Sequence, residues 1–404
     1  MAQLQDVQIA SPAFKANPHP FYDRLRASSP VCRVMLPSKQ EAWLVARYDD
    51  VATLLKDPRF AKDRQNALTE KQLARQPWTP SVFAPLMRNM LDRDDPDHAR
   101  LRKLVHKAFT VRRVEMITER TQALSDELLD KIRRRHTFDL IDDFALPLPV
   151  TIISELLGVP EGDRTNFARW SKTMIKNTMS PLSVLLSLPS MLSFIKYIRG
   201  LVKQKRLAPQ DDLVSALVQA EEAGEQLTED ELLAMIVLLL TAGHETTVNL
   251  IGNGMLALLQ NPEQLDRLRK NPELIETAVE ELLRFSSPVE MSTYRYAREE
   301  LTIADSTIPR GSLVLGVIAS ANRDERQFHE AQTLDVARSP NKHLTFGQGG
   351  HYCVGAPLAR MEGRIAINAL LRRLPAIRLG RPVEQLKWRR GLVLRGLVSL
   401  PLAI

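Results

Sequence analysis

The feature that most constrains this chain is its longest apolar helix, which runs from about Glu229 to Gln260 and, at about 1.5 Å per residue, spans roughly 50 Å. Its middle breaks the pattern: Leu239-Leu240-Thr241-Ala242-Gly243-His244-Glu245-Thr246-Thr247 inserts a glycine, an acid and hydroxyls into an oily surface. A membrane span is a poor reading. Leu232 to Gly243 offers 12 uncharged residues before His244 and Glu245, against the roughly 20 that a bilayer needs. Polar groups in a buried helix need a reason. Threonine can bond back to the carbonyl one turn earlier, and beside Gly243 that either merely kinks the helix or bends it enough to open a groove.

Around this helix the chain reads as one mostly helical domain. Its 404 residues, 44% hydrophobic, can bury a large core, and no internal repeat, low-complexity tract or long Gly/Ser linker divides them. Residues 114 to 285 pattern mainly as successive amphipathic helices, whereas β-rich patterns cluster near 30 to 48 and 291 to 318, as in Ser312-Leu313-Val314-Leu315-Gly316-Val317. The expected fold class is mainly α with small β-sheets (α+β), in a single domain over residues 1–404.

Charge and cysteine usage narrow the function. The net charge of +7, from 55 basic and 48 acidic residues, is spread without a dominant tail, which is weak ground for nucleic-acid binding. Arg133-Arg134-Arg135 and Arg389-Arg390 read as solvated faces. Two cysteines do not make a disulfide framework, so a reducing, cytoplasmic compartment is expected. Met1 to Lys15 lacks a basic start followed by an apolar core, so neither a signal peptide nor a membrane anchor is expected. Cys32, within Pro30-Val31-Cys32-Arg33-Val34-Met35, reads as a small buried hydrophobe on a strand.

The other cysteine stands in different company. Phe346-Gly347-Gln348-Gly349-Gly350-His351-Tyr352-Cys353-Val354-Gly355-Ala356 sets Cys353 among glycines just ahead of an amphipathic run from Leu358 to Leu374. Gly347, Gly349, Gly350 and Gly355 let the backbone turn tightly and approach a flat object closely. Gly355-Ala356-Pro357 reads as a helix start, because proline is tolerated in a first turn. Unpaired N–H groups and the helix dipole there favour a thiolate. A lone thiolate does not suit zinc, which wants three or four protein ligands, and no clustered Cys or His lies nearby. It suits haem iron, where a macrocycle supplies the in-plane nitrogens.

At Phe346, Gly347, Gly349, His351, Cys353 and Gly355 the loop matches Phe-Gly-x-Gly-x-His-x-Cys-x-Gly and resembles the cytochrome P-450 family, whose thiolate ligation of haem is the family's own chemistry. By that resemblance Cys353 is the metal ligand, with Phe346, Gly347 and Gly355 shaping the haem-binding loop. Ala242-Gly243-x-Glu245-Thr246-Thr247 is similar to the segment that crosses over the haem. Ala242 and Gly243 would border the cofactor, Thr246 would hydrogen-bond dioxygen, and Glu245 would pass protons inward. His244 is expected to pack or to face solvent.

The resemblance extends in chain order to further charges. Glu281-Leu282-Leu283-Arg284 places opposite charges at i and i+3, which alone means little, since Glu161-Gly162-Asp163-Arg164 has the same spacing. Its place between the long helix and the cysteine loop matches the family's Glu-x-x-Arg pair, with Arg338 as third member of a structural cluster. His98 and Arg102 fall at i and i+4 in a helix opened by Asp95-Pro96, a spacing that can clamp a carboxylate. They are similar to the family's propionate site, and Arg295 and His351 match two further propionate contacts. Arg100 and Lys103 read as a solvated face. Ala321-Asn322-Arg323-Asp324 and Phe328 also fit, with Glu325 where the family has proline.

The resemblance implies a haem b monooxygenase with O2 as co-substrate, an oxidoreductase that takes electrons from a ferredoxin and its reductase. NAD(P)H would enter only through those partners. A monomer without a membrane anchor is expected. The substrate pocket would draw on 78 to 91, which includes Met90, on 174 to 194, on Leu239 and Ala242, and on loops around Met291 and Val393. Asn177 to Ile195 lacks charge and reads either as a lid or as a packed helical hairpin. A polyketide or macrolide, steroid or terpenoid is the expected hydrophobic substrate, and hydroxylation the expected reaction. The alternatives are a noncatalytic haem sensor or carrier, or a family member that uses peroxide or isomerises its substrate.

Overall fold

The computed structural model of the protein describes residues 7–74, 88–108, 111–164, 166–167, 169–170, 181–222 and 227–404. The chain resolves into two compact units, one of Met1–Ala74, Gln122–Pro147 and Thr246–Ile404, the other of Arg75–Thr121 and Leu148–Glu245. In chain order the strands are β1 (Val31–Met35), β2 (Glu41–Val45), β3 (Phe60–Ala61), β4 (Thr137–Asp139), β5 (Arg295–Ala297), β6 (Leu301–Ile303), β7 (Ser306–Ile308), β8 (Leu313–Gly316), β9 (Arg378–Leu379) and β10 (Pro401–Ala403).

In the first unit the main sheet has the order β1-β2-β8-β5-β3. β1 and β2 are an antiparallel hairpin in which Val31 faces Val45, while β2 runs parallel to β8 with Leu44 beside Leu315. All four residues of β8 are buried, as a strand covered on both faces requires. Its alternation divides the core: Leu313 and Leu315 join Tyr22, Leu25, Leu44 and Met291 on one face, and Val314 joins Val45, Val51 and Leu54 on the other. β5 lies antiparallel to β8 with Arg295 opposite Val314, which holds that arginine in a buried ladder.

A second sheet, β4-β10-β9, pairs Phe138 with Leu402 and Leu402 with Leu379. β4 is a strand within the stretch from 114 to 285 that was expected to be mainly helical. Three residues are too few to show alternation, and β4 exists because the far end of the chain pairs with it.

The long helix runs unbroken from Glu229 to Gln260. It has the length and composition of a membrane span, yet 72% of its most apolar window is buried inside the protein. Its second half belongs to the first unit and packs closely there. A Cβ on Gly363, in the helix Ala356–Arg373, would come within 2.8 Å of Leu250 Cδ2, and one on Gly254 within 3.2 Å of Leu282 Cδ1 in the helix Ile275–Phe285.

The second unit is helical among its described residues and contains the helices Asp97–Ala108, Pro181–Leu207 and Leu213–Glu222. Thr241 makes the expected back-bond, its Oγ1 donating to Val237 O at 2.9 Å. Gly158 closes a helix with φ +75°, and a Cβ there would stand 2.2 Å from Asp212 Oδ2. Asp212 is nearly buried and pairs with Lys205 at 2.6 Å. Gly158→Ala therefore forces both left-handed backbone strain and a shift of a buried ion pair, at about 1–3 kcal/mol. Thermal unfolding should show a lower midpoint for Gly158→Ala; an unchanged midpoint would mean that the turn relaxes freely.

Candidate active site

The cysteine loop is built by local backbone constraints. Gly347 and Gly349 have φ +71° and +73°, and a Cβ on Gly349 would stand 3.2 Å from Leu55 O and 3.3 Å from Lys56 Cα. Glycine thus lets the loop lie against the end of the helix Tyr48–Lys56. Cys353 N–H donates to Phe346 O at 2.9 Å, closing the loop. Gly355 is the N-cap of the helix Ala356–Arg373, with Pro357 in its first turn. Cys353 therefore precedes the N-cap by two residues, at the N-terminal end of the helix that Gly355-Ala356-Pro357 was expected to start.

The donor set fits a haem. Cys353 is exposed, whereas Cys32 is half-buried on β1 and burial pushes its thiol up to about 11. No group of three or more His, Cys, Asp or Glu side chains able to hold a metal occurs among the described residues. A Cβ on Gly355 would sit 4.0 Å from Cys353 Sγ, so the thiol has room on that side. One accessible sulfur suits an iron whose other ligands come with a macrocycle.

Behind this loop the structure brings Glu281, Arg284 and Arg338 together. Arg284 Nε and Nη2 donate to the two oxygens of Glu281 at 2.7 and 2.8 Å, and Arg338 Nε lies 3.1 Å from both. Glu281 and Arg284 are wholly buried. Arg284 also donates to the carbonyls of Asn322, Ala331 and Thr333, while Glu281 accepts from Asp335 N–H and Asn341 Nδ2. Every lone pair and proton that burial would orphan is engaged, the condition under which such a cluster is tolerated.

Known proteins are similar to this chain over nearly its whole length. The cytochrome P450 family model matches residues 7–395. The chain belongs to the cytochrome P450 family. It is 43% identical over 401 residues to cytochrome P450 107B1 of Saccharopolyspora erythraea, covering 99% of this chain and 98% of that one. It is 39% identical over 400 residues to the 6-deoxyerythronolide B hydroxylase of the same organism, covering 98% of each. The structure of the Bacillus subtilis bacillaene polyketide synthase cytochrome P450 PksS superposes with a TM-score of 0.91 at 41% identity, covering 98% of this chain and 99% of that one. The protein is thus a haem-thiolate monooxygenase, an enzyme that uses haem b and O2 on a mainly helical fold with small sheets.

The remaining site residues of this P450 divide between the units. Arg295, His351, Phe346, Gly347, Gly355, Thr246, Met291 and Val393 fall in the first, with Cys353 and the charge cluster. His98, Arg102, Met90, Leu239, Ala242, Gly243 and Glu245 fall in the second. Arg295 is buried and donates from Nη2 to Leu55 O at 3.1 Å. His98 is buried in the first turn of Asp97–Ala108, with Nδ1 3.0 Å from Asp95 Oδ1. Arg102 follows one turn on and is half-buried. Arg100, expected on a solvated face, is instead held by Glu231 at 2.6 Å and Asp97 at 3.1 Å. Glu245 and Thr246 are half-buried, and His244 packs inside with Nδ1 2.8 Å from Leu240 O. Met291 and Val393 do meet: Met291 N–H donates to Val393 O at 3.2 Å. Met90 and Leu239 are nearly buried. The pocket stretches 78–87 and 174–180 lie outside the described residues, as does the start of the lid at 177–180. From Pro181 to Leu207 the chain is one helix.

Sequence reasoning missed two acids, one on the helix Ala356–Arg373 and one on the helix Ile275–Phe285. Glu362, on the cysteine helix, is wholly buried, and burial pushes its carboxyl up to about 8 against the pull of the Thr247 hydroxyl. Burial also pushes the Glu280 carboxyl up, but hydrogen bonds from His343 and Arg360 outweigh it and hold the group down to about 2. Its contribution to stability is full above the ordinary value of 4.5 and is lost as pH falls toward 2. Only its neighbour Glu281 carried a recognisable pattern.

Replacing Glu281 leaves two guanidiniums competing for nothing in a dry site, a loss of about 3–5 kcal/mol. Glu281→Gln should yield protein with little bound haem and a depressed unfolding midpoint. Parent-like haem content and midpoint would rule out the anchoring role.

Proposed function

We propose that this P450 hydroxylates a bulky hydrophobic small molecule of polyketide or macrolide type, with Cys353 as the thiolate that would hold its haem. The observation that carries the assignment is the exposed thiol of Cys353 in a glycine loop closed by its own backbone bond to Phe346. Relatives named for 6-deoxyerythronolide B and for a polyketide synthase support the substrate class.

Bound haem supplies the reducible iron centre at which O2 is activated. The protein's part is positioning and proton supply. His98, Arg102, Arg295 and His351 provide positive or hydrogen-bonding groups for two propionates, which would otherwise bring unpaired charge into an apolar site. Thr246 would hold a proton at Oγ1 toward the dioxygen site, and Glu245, one residue earlier on the same helix, would resupply it from solvent. Ala242 and Gly243 keep the helix surface low beside the cofactor. For the substrate, the first unit offers apolar residues at Met291 and Val393, joined by a backbone bond, and the second offers Met90 and Leu239.

Electrons come from a ferredoxin and an NAD(P)H-dependent reductase in the cytoplasm, and the two units act as a single catalytic domain. The excess of basic over acidic residues favours an acidic electron donor.

Cys353→Ser should abolish the thiolate-type carbon monoxide band of the reduced protein; its survival would eliminate Cys353 as ligand. Thr246→Ala should keep haem and substrate binding but divert reducing equivalents to peroxide, lowering product per NAD(P)H about 10-fold or more. Parent-like coupling would defeat the role given to Thr246. Titration of the ferric protein with macrolides, steroids, terpenoids and fatty acids should give a saturable low-spin to high-spin shift with the macrolides, and a shift confined to another class would move the substrate assignment there.

A further inference from the structure

The helix Ile275–Phe285 carries adjacent glutamates with different surroundings. Glu281 faces the buried arginines, whereas Glu280 accepts from Arg360 Nε at 2.6 Å and Nη2 at 2.9 Å, and lies 3.1 Å from His343 Nε2. Those two partners grip the cysteine loop. The Arg360 guanidinium stands 4.5 Å from the centre of the Phe346 ring, and its Nη1 is 3.1 Å from Tyr352 Oη. The His343 ring lies 5.7 Å from that of Phe346, and its Nδ1 accepts the Thr345 N–H at 3.2 Å. Phe346 in turn gives its carbonyl to Cys353 N–H, and Tyr352 is the residue before the cysteine.

The hydrogen-bond pattern fixes the charge of this group. Because Nδ1 of His343 is an acceptor, its single ring proton sits on Nε2, donated to Glu280. The cluster is then one carboxylate, one guanidinium and one neutral imidazole, with no net charge. Stability alone is a weak reason to keep such a pair half out of water. A balanced pair beside the ligand loop has an electrostatic use, since charge, burial and outer-shell contacts are the levers a protein has on a haem potential.

We propose that Glu280 and Arg360 form a charge-balanced clamp on the Cys353 loop that sets the reduction potential of the haem, with His343 and Phe346 as positioning residues. The guanidinium over the Phe346 ring fixes the loop carbonyl to which Cys353 is bonded. Pairing with Glu280 cancels the field that either charge alone would impose on the iron. The proposal rests on the haem-thiolate reading, whose failure would appear separately as a missing thiolate-type band in the parent enzyme.

The test is spectroelectrochemistry of holoenzyme for the parent, Arg360→Met, Glu280→Gln, Arg360→Lys and the double variant Glu280→Gln/Arg360→Met. Arg360→Met leaves an uncompensated negative charge that favours the oxidised iron, so the ferrous-to-ferric ratio at a fixed applied potential should fall about tenfold, roughly 59 mV for a one-electron couple. Glu280→Gln leaves a positive charge and should raise the ratio by a similar factor. The double variant and Arg360→Lys should both return to within about twofold of the parent. A purely structural role would loosen the loop in both single variants and move the potential the same way. Shifts of the same sign, no shift in either single variant, or loss of haem from both singles and the double variant would overturn the proposal.

Discussion

A carboxylate with no access to water organises the part of this enzyme that leads to its metal ligand. Glu281 takes Arg284 from its own helix and Arg338 from the chain that runs on to the cysteine loop. The cost of drying these charges is offset because the cluster has few loose ends. Arg284 reaches three backbone carbonyls between Asn322 and Thr333, so a stretch with little regular structure is held by one side chain. Cation–π contact adds to this, with the Arg284 guanidinium 5.2 Å from the Phe328 ring. The loop carrying Cys353 can be glycine-rich and still ordered because what precedes it is fixed from behind.

A second buried charge network lies in the same unit. Lys15, from the short N-terminal helix, is paired with Glu290, which also accepts from the Tyr22 hydroxyl, and all three are wholly buried. Arg395 Nε donates to Lys15 O at 2.9 Å, and Glu290 N–H donates to Val393 O at 2.7 Å. Burial lowers the pKa of Lys15, and the Glu290 charge opposes it. The effect is to lock residues 288–292 against 392–395, two loops that the sequence separates by about a hundred residues. Met291 and Val393 owe their contact to this lock, because neither has local structure that would bring it there.

The elements read most easily from the sequence were those whose signal is local. The long helix was legible because apolar character over about nine turns outweighs three glycines and a short polar stretch in its middle. β1, β2 and β8 fall within the β-rich clusters near 30 to 48 and 291 to 318. The cysteine loop showed in its glycines, two of which have the positive φ that only such residues adopt without strain. β4 could not be read in this way, nor could the pairing of Lys15 with Glu290. Glu280 was hidden for a related reason: on paper it is a solvent-facing acid in a helix, and only the fold supplies His343 and Arg360 to hold it.

By itself the sequence determined which chemistry this protein has. A single cysteine in a glycine frame, a hydroxyl and an acid in the middle of an apolar helix, and an ordered series of basic residues are each set by short-range pattern, and chain order joined them into one family. The tertiary structure alone decided how those groups are held. Charge pairs such as Glu281 with Arg338, Lys15 with Glu290 and Glu280 with Arg360 join residues 57, 275 and 80 positions apart. Periodicity carries no information at such separations. Their energy depends on burial and on exact satisfaction of every polar atom, which only the packed chain can provide.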